Sequence, residues 1–398
     1  MTTDDTDRAS ASRPVLLTTH VIGDVNRSRV LQSFVDHGAL SRAELARLAG
    51  VPRATMGTIV QALMEAELLE ELTPDRLGRV GKPGRPLWFA PRAGLCLAVG
   101  FDDARVRATL VNARGDRLAE HTVALATGEA DAPTLLAAVE AAARAVRPEG
   151  ENVMGLGIAR PGVCDTRAGA VVASGPLPGA VGTDLTRRLG ATFSLPVHVD
   201  NDARAQALGE QWFGEARGTA TFASVQTGTG LGVGVVLGGR LFRGDDGQVG
   251  ELGHTQVVAD GELCRCGLRG CWETMASVRW LRAEATRRGL PGADRATTAS
   301  LFALRTPEAQ ALLEQYATNL AAGMSTLVNL LGTRTMIVHG DVNGGGEAMR
   351  LLVENALREA SLGYLSDEVT VVLSELDADA ALLGAAAIVL SETFRLAV

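Results

Sequence analysis

The sequence predicts an α/β protein with a small helical unit at its N-terminal end and a much larger body behind it. Residues 26 to 65 have the pattern of three short helices, whereas residues 95 to 158 alternate between strand and helix patterns. Residues 251 to 273 hold a dense cluster of histidine, cysteine and carboxylate side chains. With 398 residues, 46% of them hydrophobic, the chain can form two or three domains with sizeable cores, so a disordered protein is excluded.

Cysteine usage and hydropathy indicate a cytoplasmic protein without membrane contact. Three of the five cysteines fall in one cluster, and Cys96 and Cys164 stand alone in apolar surroundings, as expected in a reducing compartment. Residues 1 to 14 lack the apolar segment of a signal peptide, and no apolar run approaches the length of a membrane span. Residues 1 to 20 are expected to form a flexible arm.

The segment from residue 251 to 273 is expected to bind a structural zinc ion (Zn2+). Three thiolates and one imidazole make a closed four-coordinate set, here His254, Cys264, Cys266 and Cys271. The metal takes only deprotonated ligands, and its binding energy would help to order a loop with few apolar residues. Reduced cysteines or disulfides are the alternative interpretation.

Two carboxylates, Glu251 and Glu273, bracket these ligands, so an ordered zinc loop would present both toward one cavity. GELGH followed by C-x-C-G-x-x-G-C-x-E closely resembles the ROK family, named for repressors, open reading frames and sugar kinases. The resemblance implies a two-lobed, actin-like (ribonuclease H-like) body over residues 92 to 398. It also implies that Glu251, His254 and Glu273 contact sugar hydroxyls, with His254 ligating zinc as well. The C-terminal helix, residues 378 to 394, is expected to pack between the lobes.

Residues 21 to 91 are expected to form a winged helix-turn-helix that binds DNA. A first helix is predicted over residues 26 to 36, a capping box at Ser41 and Glu44 starts a second helix, and Pro52 suits the first position of a third. The third helix would bury Met56, Ile59, Val60 and Leu63 and expose Arg53, Thr55, Thr58 and Gln61. In a helix-turn-helix the last helix enters the major groove. An ordinary three-helix subdomain is the alternative.

A basic, turn-rich segment, GRVGKPGRP, separates two predicted strands at residues 68 to 72 and 87 to 90 and is typical of a wing. Such a strip could reach phosphates or the minor groove, although a solvated linker has a similar composition. Residues 21 to 92 carry a net charge of +2, while the rest of the chain carries −10. This region resembles the repressor branch of the family, which includes N-acetylglucosamine and xylose repressors. The candidate DNA contacts are Arg42, Arg53, Thr55, Thr58, Gln61, Arg79, Lys82 and Arg85.

The part of the family pattern that binds the nucleotide in kinases is altered in this chain. Family kinases carry Asp-x-Gly-x-Thr in their first phosphate loop, whereas this chain has Gly100, Asp102 and Ala104 at those places and Asp103 as a second negative charge. Carboxylates in such a turn repel phosphate, so we expect no sugar-dependent ATP turnover. The second glycine-rich segment, residues 224 to 239, is retained, but it also suits a tight hairpin. The glycines expected near adenosine are displaced to residues 344 to 346.

The part of the family pattern that contacts the sugar is largely kept in this chain. Asn201 and Asp202 follow a predicted strand, where family kinases use the corresponding pair to contact the sugar and deprotonate its hydroxyl. In a repressor the same pair can simply bind the hydroxyls, and capping of the next helix is the structural alternative. Pro176 stands where the family usually offers an asparagine to the sugar.

Three functions follow from these patterns: a sugar-responsive transcriptional regulator, an ATP-dependent sugar kinase with an added DNA-binding domain, and an inert interaction scaffold. The retained sugar side, the altered nucleotide side and the helix-turn-helix favour the first, which is not an enzyme. Its expected partners are an inverted-repeat operator in double-stranded DNA and a sugar, amino sugar or sugar phosphate. We expect a homodimer or homotetramer.

Overall fold

A computed structural model describes residues 19–73, 85–102, 104–125, 131–166, 170–173, 184–244, 247 and 250–396 of the protein. The helices within these residues are α1 (Thr19–His37), α2 (Arg42–Ala49), α3 (Arg53–Glu65), α4 (Ala132–Val146), α5 (Leu185–Phe193), α6 (Asp202–Phe213), α7 (Trp272–Ala276), α8 (Val278–Arg287), α9 (Thr298–Leu304), α10 (Pro307–Leu331), α11 (Asp341–Gly344), α12 (Gly346–Ala360), α13 (Gly363–Ser366) and α14 (Ala380–Phe394). None of these helices is both long and apolar enough to cross a membrane.

The strands within the described residues belong to four sheets. They are β1 (Leu40–Ser41), β2 (Leu69–Glu71), β3 (Pro86–Phe89), β4 (Cys96–Phe101), β5 (Arg105–Val111), β6 (Arg117–Ala124), β7 (Leu156–Arg160), β8 (Val163–Asp165), β9 (Ala170–Ala173), β10 (Val197–Asn201), β11 (Phe222–Thr227), β12 (Leu231–Leu237), β13 (Arg240–Leu241), β14 (Thr335–Gly340) and β15 (Thr370–Leu373).

The N-terminal unit consists of α1, α2 and α3 packed beside a small antiparallel sheet in the order β1-β3-β2. The predicted capping box is present, since Ser41 and Glu44 bond reciprocally at the start of α2, and Gly50 ends that helix at a φ of 65°. The predicted inner face of α3 is also present, with Met56, Val60 and Leu63 buried and Ile59 partly buried. Helix α1 begins at Thr19, seven residues before the predicted start.

The body contains two five-stranded sheets with the same strand order. The first is β6-β5-β4-β7-β10 and the second is β13-β12-β11-β14-β15. In each sheet the first three strands of the chain are antiparallel, and the next two add parallel to the first strand. This repeated topology forms the predicted two-lobed, actin-like body. Helix α4 spans the residues that the apolar pattern predicted and covers the first sheet with α5.

Helices α6 and α14 form the contact between the lobes, as predicted for the C-terminal helix. Their backbones are in direct contact. A Cβ on Gly384 would overlap the carbonyl oxygen of Ala205, and a Cβ on Gly209 would overlap the carbonyl oxygen of Ala380. Helix α6 approaches β12 in the same way, where Gly234 leaves room for Ala203. Only glycine allows such an approach, so the distance between the lobes is set at these positions.

The N-terminal unit shares one apolar core with α6 and α14. Phe89 of β3 stacks on Phe394 at the end of α14, with ring centroids 6.1 Å apart. Ser28 Oγ donates a hydrogen bond to the Phe394 carbonyl oxygen at 2.7 Å. The guanidinium of Arg217, just beyond α6, lies 5.8 Å from the centroid of the Trp88 ring. The unit is therefore packed directly on the body.

We expect Gly384→Ala to destabilise the protein, because the new methyl group would collide with the Ala205 carbonyl and force α6 and α14 apart. Overpacking of this kind costs on the order of 2 kcal/mol or more. Urea unfolding followed by circular dichroism measures the change. Gly344→Ala is the matched control, since a Cβ there has no atom within 4 Å. Equal unfolding midpoints for the two variants would contradict the packing described.

Candidate functional site

Four donor side chains meet at one point of the second lobe. The ligand atoms of His254, Cys264, Cys266 and Cys271 all lie within 4.8 Å of one another. Cys266 Sγ and Cys271 Sγ are 3.6 Å apart, and Cys264 Sγ is 3.5 Å from His254 Nδ1. Tetrahedral zinc with bonds of about 2.3 Å to sulfur separates two sulfurs by roughly 3.8 Å. The cysteines are free, and the donor set fits a four-coordinate metal ion.

Backbone turns hold these donors in place. The N–H of Gly267 donates to the Cys264 carbonyl at 2.9 Å, which closes a tight turn between two of the ligands. Gly270 has a φ of 70° and lies so close to the Val258 carbonyl that no side chain would fit. The next residue after Cys271, Trp272, is fully buried, and its Nε1–H donates to the Asn319 carbonyl at 2.9 Å. The loop is thereby fixed to α10.

The predicted pair at the end of β10 divides into two roles. Asn201 caps α6, since its Oδ1 accepts the N–H groups of Ala203 and Arg204 at 3.0 and 3.1 Å. Its Nδ2 donates to the Gly162 carbonyl at 3.1 Å and to Asp202 Oδ1 at 3.0 Å. The capping role is therefore present at Asn201, and its contact with a sugar stays a prediction. The other oxygen of Asp202, Oδ2, accepts no hydrogen bond from the described residues.

Asp202 and Glu251 lie close enough for their charges to interact. Burial raises the pKa of the Asp202 carboxyl, the hydrogen bond from Ala203 and the charge of Arg160 oppose the rise, and the charge of Glu251 adds to it. Glu251 is exposed.

The sequence interpretation missed Arg160, which is fully buried beneath this pair and donates to the carbonyls of Pro161 and Val163. A charged residue at the end of an apolar strand was the available signal.

Glu273 and the segment that carries Glu251 both lie beside Leu231. The N–H of Leu231 donates to Glu273 Oε2 at 3.2 Å, while a Cβ on Gly253 would lie 2.5 Å from the Leu231 carbonyl oxygen. The two predicted carboxylates are thus both on segments that contact Leu231. They differ in availability, because Glu273 is only 2% exposed and is paired with two arginines, Arg265 and Arg279.

Some backbone amides of the two phosphate-loop segments donate to side chains of the protein. Asp102 Oδ1 accepts the N–H groups of Ala104 and Arg105, both at 2.9 Å, and these amides cannot then bind a phosphate. In the second segment, the Leu231 N–H is taken by Glu273, and the Gly228 carbonyl accepts the N–H of Val278 at 2.8 Å. Asp103 and Pro176, named in the sequence interpretation, lie outside the described residues.

The candidate DNA-contacting residues differ in their exposure and in their ion pairs. The four on α3 are all exposed: Arg53, Thr55, Thr58 and Gln61. Arg42 is half-buried and forms an ion pair with Glu71, which also pairs with the exposed Arg85 at 2.9 Å. The ion pairs of these two arginines with Glu71 therefore connect residues within the N-terminal unit. Arg79 and Lys82 lie outside the described residues.

The sequence pattern shared by the ROK family matches residues 95–392. The xylose repressor of Caldicellulosiruptor bescii is 25% identical over 392 residues, which cover 94% of this chain and 97% of that repressor. The glucokinase of Thermotoga maritima is 34% identical over 260 residues, covering 61% of this chain and 80% of the enzyme. A solved structure of a ROK family transcriptional regulator, a homologue of the E. coli Mlc protein, has a TM-score of 0.76 at 26% identity and covers 94% of this chain and 98% of its own. From the repeated sheets, the donor cluster and the match over residues 95–392, the chain belongs to the ROK family.

Proposed function

We propose that the protein is a sugar-responsive transcriptional repressor, in which the ROK body binds the effector and a winged helix-turn-helix over residues 21 to 91 binds operator DNA. One observation carries the proposal: α6 begins at the candidate sugar residues and ends against the N-terminal unit. The similarity to repressors over nearly the whole chain supports it.

The two ends of α6 have different partners. At its start, Asn201 is the cap and Asp202 the first residue of the helix. Beyond its end, Arg217 lies over Trp88, and Gly218 approaches the carbonyl of Asp36 in α1. Between them the helix is tightly packed against both lobes. A ligand that changes lobe closure at Asp202 would therefore shift the position of the DNA-binding unit.

Such a shift alters DNA affinity only if the effector binds the DNA-competent and incompetent arrangements with different strength. One helix-turn-helix offers a small contact area, so tight operator binding needs two copies on a two-fold axis and an inverted-repeat site. We therefore propose a homodimer, or a homotetramer built from dimers. The exposed side chains of α3 would reach the base edges, and the basic segment near Arg85 would contact phosphates.

The donor cluster is proposed to hold one structural zinc ion. Three sulfurs and one nitrogen in a closed arrangement suit zinc, whereas calcium and magnesium prefer oxygen ligands. When bound, the metal would order the loop between the Glu251 segment and Glu273. His254 directs Nδ1 toward the cluster, and its Nε2 then remains for a sugar hydroxyl.

A sugar kinase with an added DNA-binding domain is the alternative function. The similarity to glucokinases and the retained Asp202 favour it. The first phosphate loop argues against a kinase. Asp102 accepts hydrogen bonds from two of its backbone amides, and Ala104 offers no hydroxyl to a phosphate. We therefore propose that the protein is not an enzyme and keeps Asp202 as a ligand for sugar hydroxyls.

Metal analysis of the purified protein is expected to find one zinc ion per chain. Cys271→Ser should lose the metal and lower the melting temperature, because Cys271 is fully buried at the anchored end of the loop. Cys96→Ala is the control. Cys96 lies outside the cluster, so this variant protein should keep its zinc. Wild-type protein without zinc, or Cys271→Ser with a full complement, would refute the assignment.

No sugar-dependent release of ADP is expected when the protein is incubated with Mg-ATP and glucose, xylose or N-acetylglucosamine. The amides that would bind the phosphates are already occupied by Asp102. A coupled assay for ADP measures this. Steady phosphorylation of any of these sugars, abolished by Asp202→Asn, would establish the kinase instead.

Two variants are expected to separate DNA binding from the effector response. Arg53→Ala removes an exposed positive charge from the start of α3 and should weaken operator binding by about tenfold while sugar affinity persists. Glu251→Ala should abolish sugar-induced release of the operator. Gel shift and calorimetry measure the two properties. A normal effector response in Glu251→Ala would place the ligand elsewhere.

A further inference from the structure

One ion pair joins the two lobes beside the candidate sugar residues. Arg243 follows β13, and the N–H of its neighbour Phe242 still donates to the Val235 carbonyl of the second sheet at 2.8 Å. Asp200 belongs to β10 of the first sheet. Arg243 Nε donates to Asp200 Oδ2 at 3.0 Å. The pair therefore forms only while these parts of the two lobes lie close together.

Asp200 is a buried carboxylate that directs one oxygen to each lobe. Its side chain is 2% exposed. Oδ1 accepts from Arg204 Nε at 2.6 Å and from the Asn201 N–H at 2.8 Å, both of which are close to it in the chain. Among the described residues, only Arg243 donates to Oδ2. Separation of the lobes would take this donor from a buried charged group, and such a hydrogen bond contributes more than an exposed ion pair does.

The arginine is less enclosed than the aspartate. The Arg243 side chain is 24% exposed, so water can hydrate its guanidinium when the lobes separate. The same segment touches the first lobe again, since a Cβ on Gly247 would lie 2.3 Å from Thr166 Oγ1, just beyond β8. Both contacts precede Glu251 in the chain. The ion pair is thus a contact that can break and form again between the second sheet and a candidate sugar carboxylate.

The pair also fixes the residues of the first lobe that are expected to meet a sugar. Asp200 directly precedes Asn201 and Asp202 at the start of α6. Asp202 and Glu251 lie close enough for their charges to interact, and like charges repel one another. The opposite charges of Arg243 and Asp200 counter that repulsion. A sugar that contacts both carboxylates favours the same arrangement of the lobes as the ion pair does.

We propose that Arg243 is a positioning residue: its ion pair with Asp200 holds the lobes in the arrangement that brings Asp202 near Glu251, and it thereby sets the affinity of the body for its sugar. The second half of this inference rests on the proposed function, whereas the first half concerns the lobes alone. In the protein without sugar, the lobes exchange between this arrangement and a more open one, and the pair raises the population of the first. Without the pair, sugar binding has to supply the lost attraction, so the sugar affinity falls.

Pulsed electron paramagnetic resonance on the full-length protein measures the arrangement of the lobes directly. Spin labels on p-acetylphenylalanine in place of Leu118 and Tyr364 report one lobe each, because both residues are exposed, the first on β6 and the second on α13. This chemistry leaves the cysteines of the donor cluster unlabelled. Without sugar, Arg243→Gln should lower the ratio of molecules with the label separation of this structure to all others by about tenfold, as expected for one charged hydrogen bond.

Two further variants assign the effect to the ion pair. Arg243→Lys should recover part of the lost population, since the charge and a donor remain. Arg240→Gln is the matched control, because it removes an exposed arginine from β13, three residues earlier, and should leave the label distances unchanged. Circular dichroism reports that each variant is folded.

Calorimetry with xylose, glucose and N-acetylglucosamine measures the consequence for the ligand. A sugar that binds the wild type should bind Arg243→Gln about tenfold more weakly and Arg240→Gln equally well. Saturating sugar should return the labels of Arg243→Gln to the separation of this structure, because the sugar then holds the lobes together. A residue that only lined the sugar site would change the affinity without moving the labels in the protein without sugar.

Unchanged label distances in Arg243→Gln, or an equal change in Arg240→Gln, would overturn the inference. Wild-type sugar affinity in Arg243→Gln despite moved labels would overturn its second half. The label distances are independent of the proposed function. A protein that binds neither these sugars nor operator DNA removes the proposed function, while the distances alone decide whether the ion pair holds the lobes.

Discussion

The close packing of α6 is the constraint on which the rest of the structure depends. Its backbone touches α14 at Gly384 and Gly209 and touches β12 at Gly234, so neither lobe can move without moving this helix. Because Asn201 and Asp202 stand at its start, the cleft is tied to the same contacts. Close packing of this kind favours discrete arrangements of the lobes over a continuous range of them.

The sequence predicted those features that local patterns determine. The capping box at Ser41, the buried face of α3 and the bounds of α4 depend on neighbours a few residues apart, and all are present. The four donors also come together, because ligand type and spacing are strong signals over a short loop. Asn201 shows the limit of such patterns, since the same residue type serves as a cap and as a polar ligand.

The features that the sequence did not predict depend on contacts between distant segments. Arg265 appeared only as the spacer between two cysteines, and nothing local indicates that it meets Glu273 together with Arg279. The burial of Arg160 and the pairing of Arg42 with Glu71 are set by tertiary packing as well. Charged side chains with long flexible stems are the hardest to place from sequence, because many partners lie within their reach.

The stacking of Phe89 on Phe394 has a consequence for the order of synthesis. The ribosome makes the N-terminal unit first, but the ring that covers Phe89 and the carbonyl that accepts from Ser28 belong to a residue near the C-terminus. Until that residue emerges, the nascent unit exposes an apolar face and cannot take its final position. A chain truncated before α14 would therefore leave the N-terminal unit with an exposed apolar face prone to aggregation, and the unit would reach its final position only in a finished polypeptide.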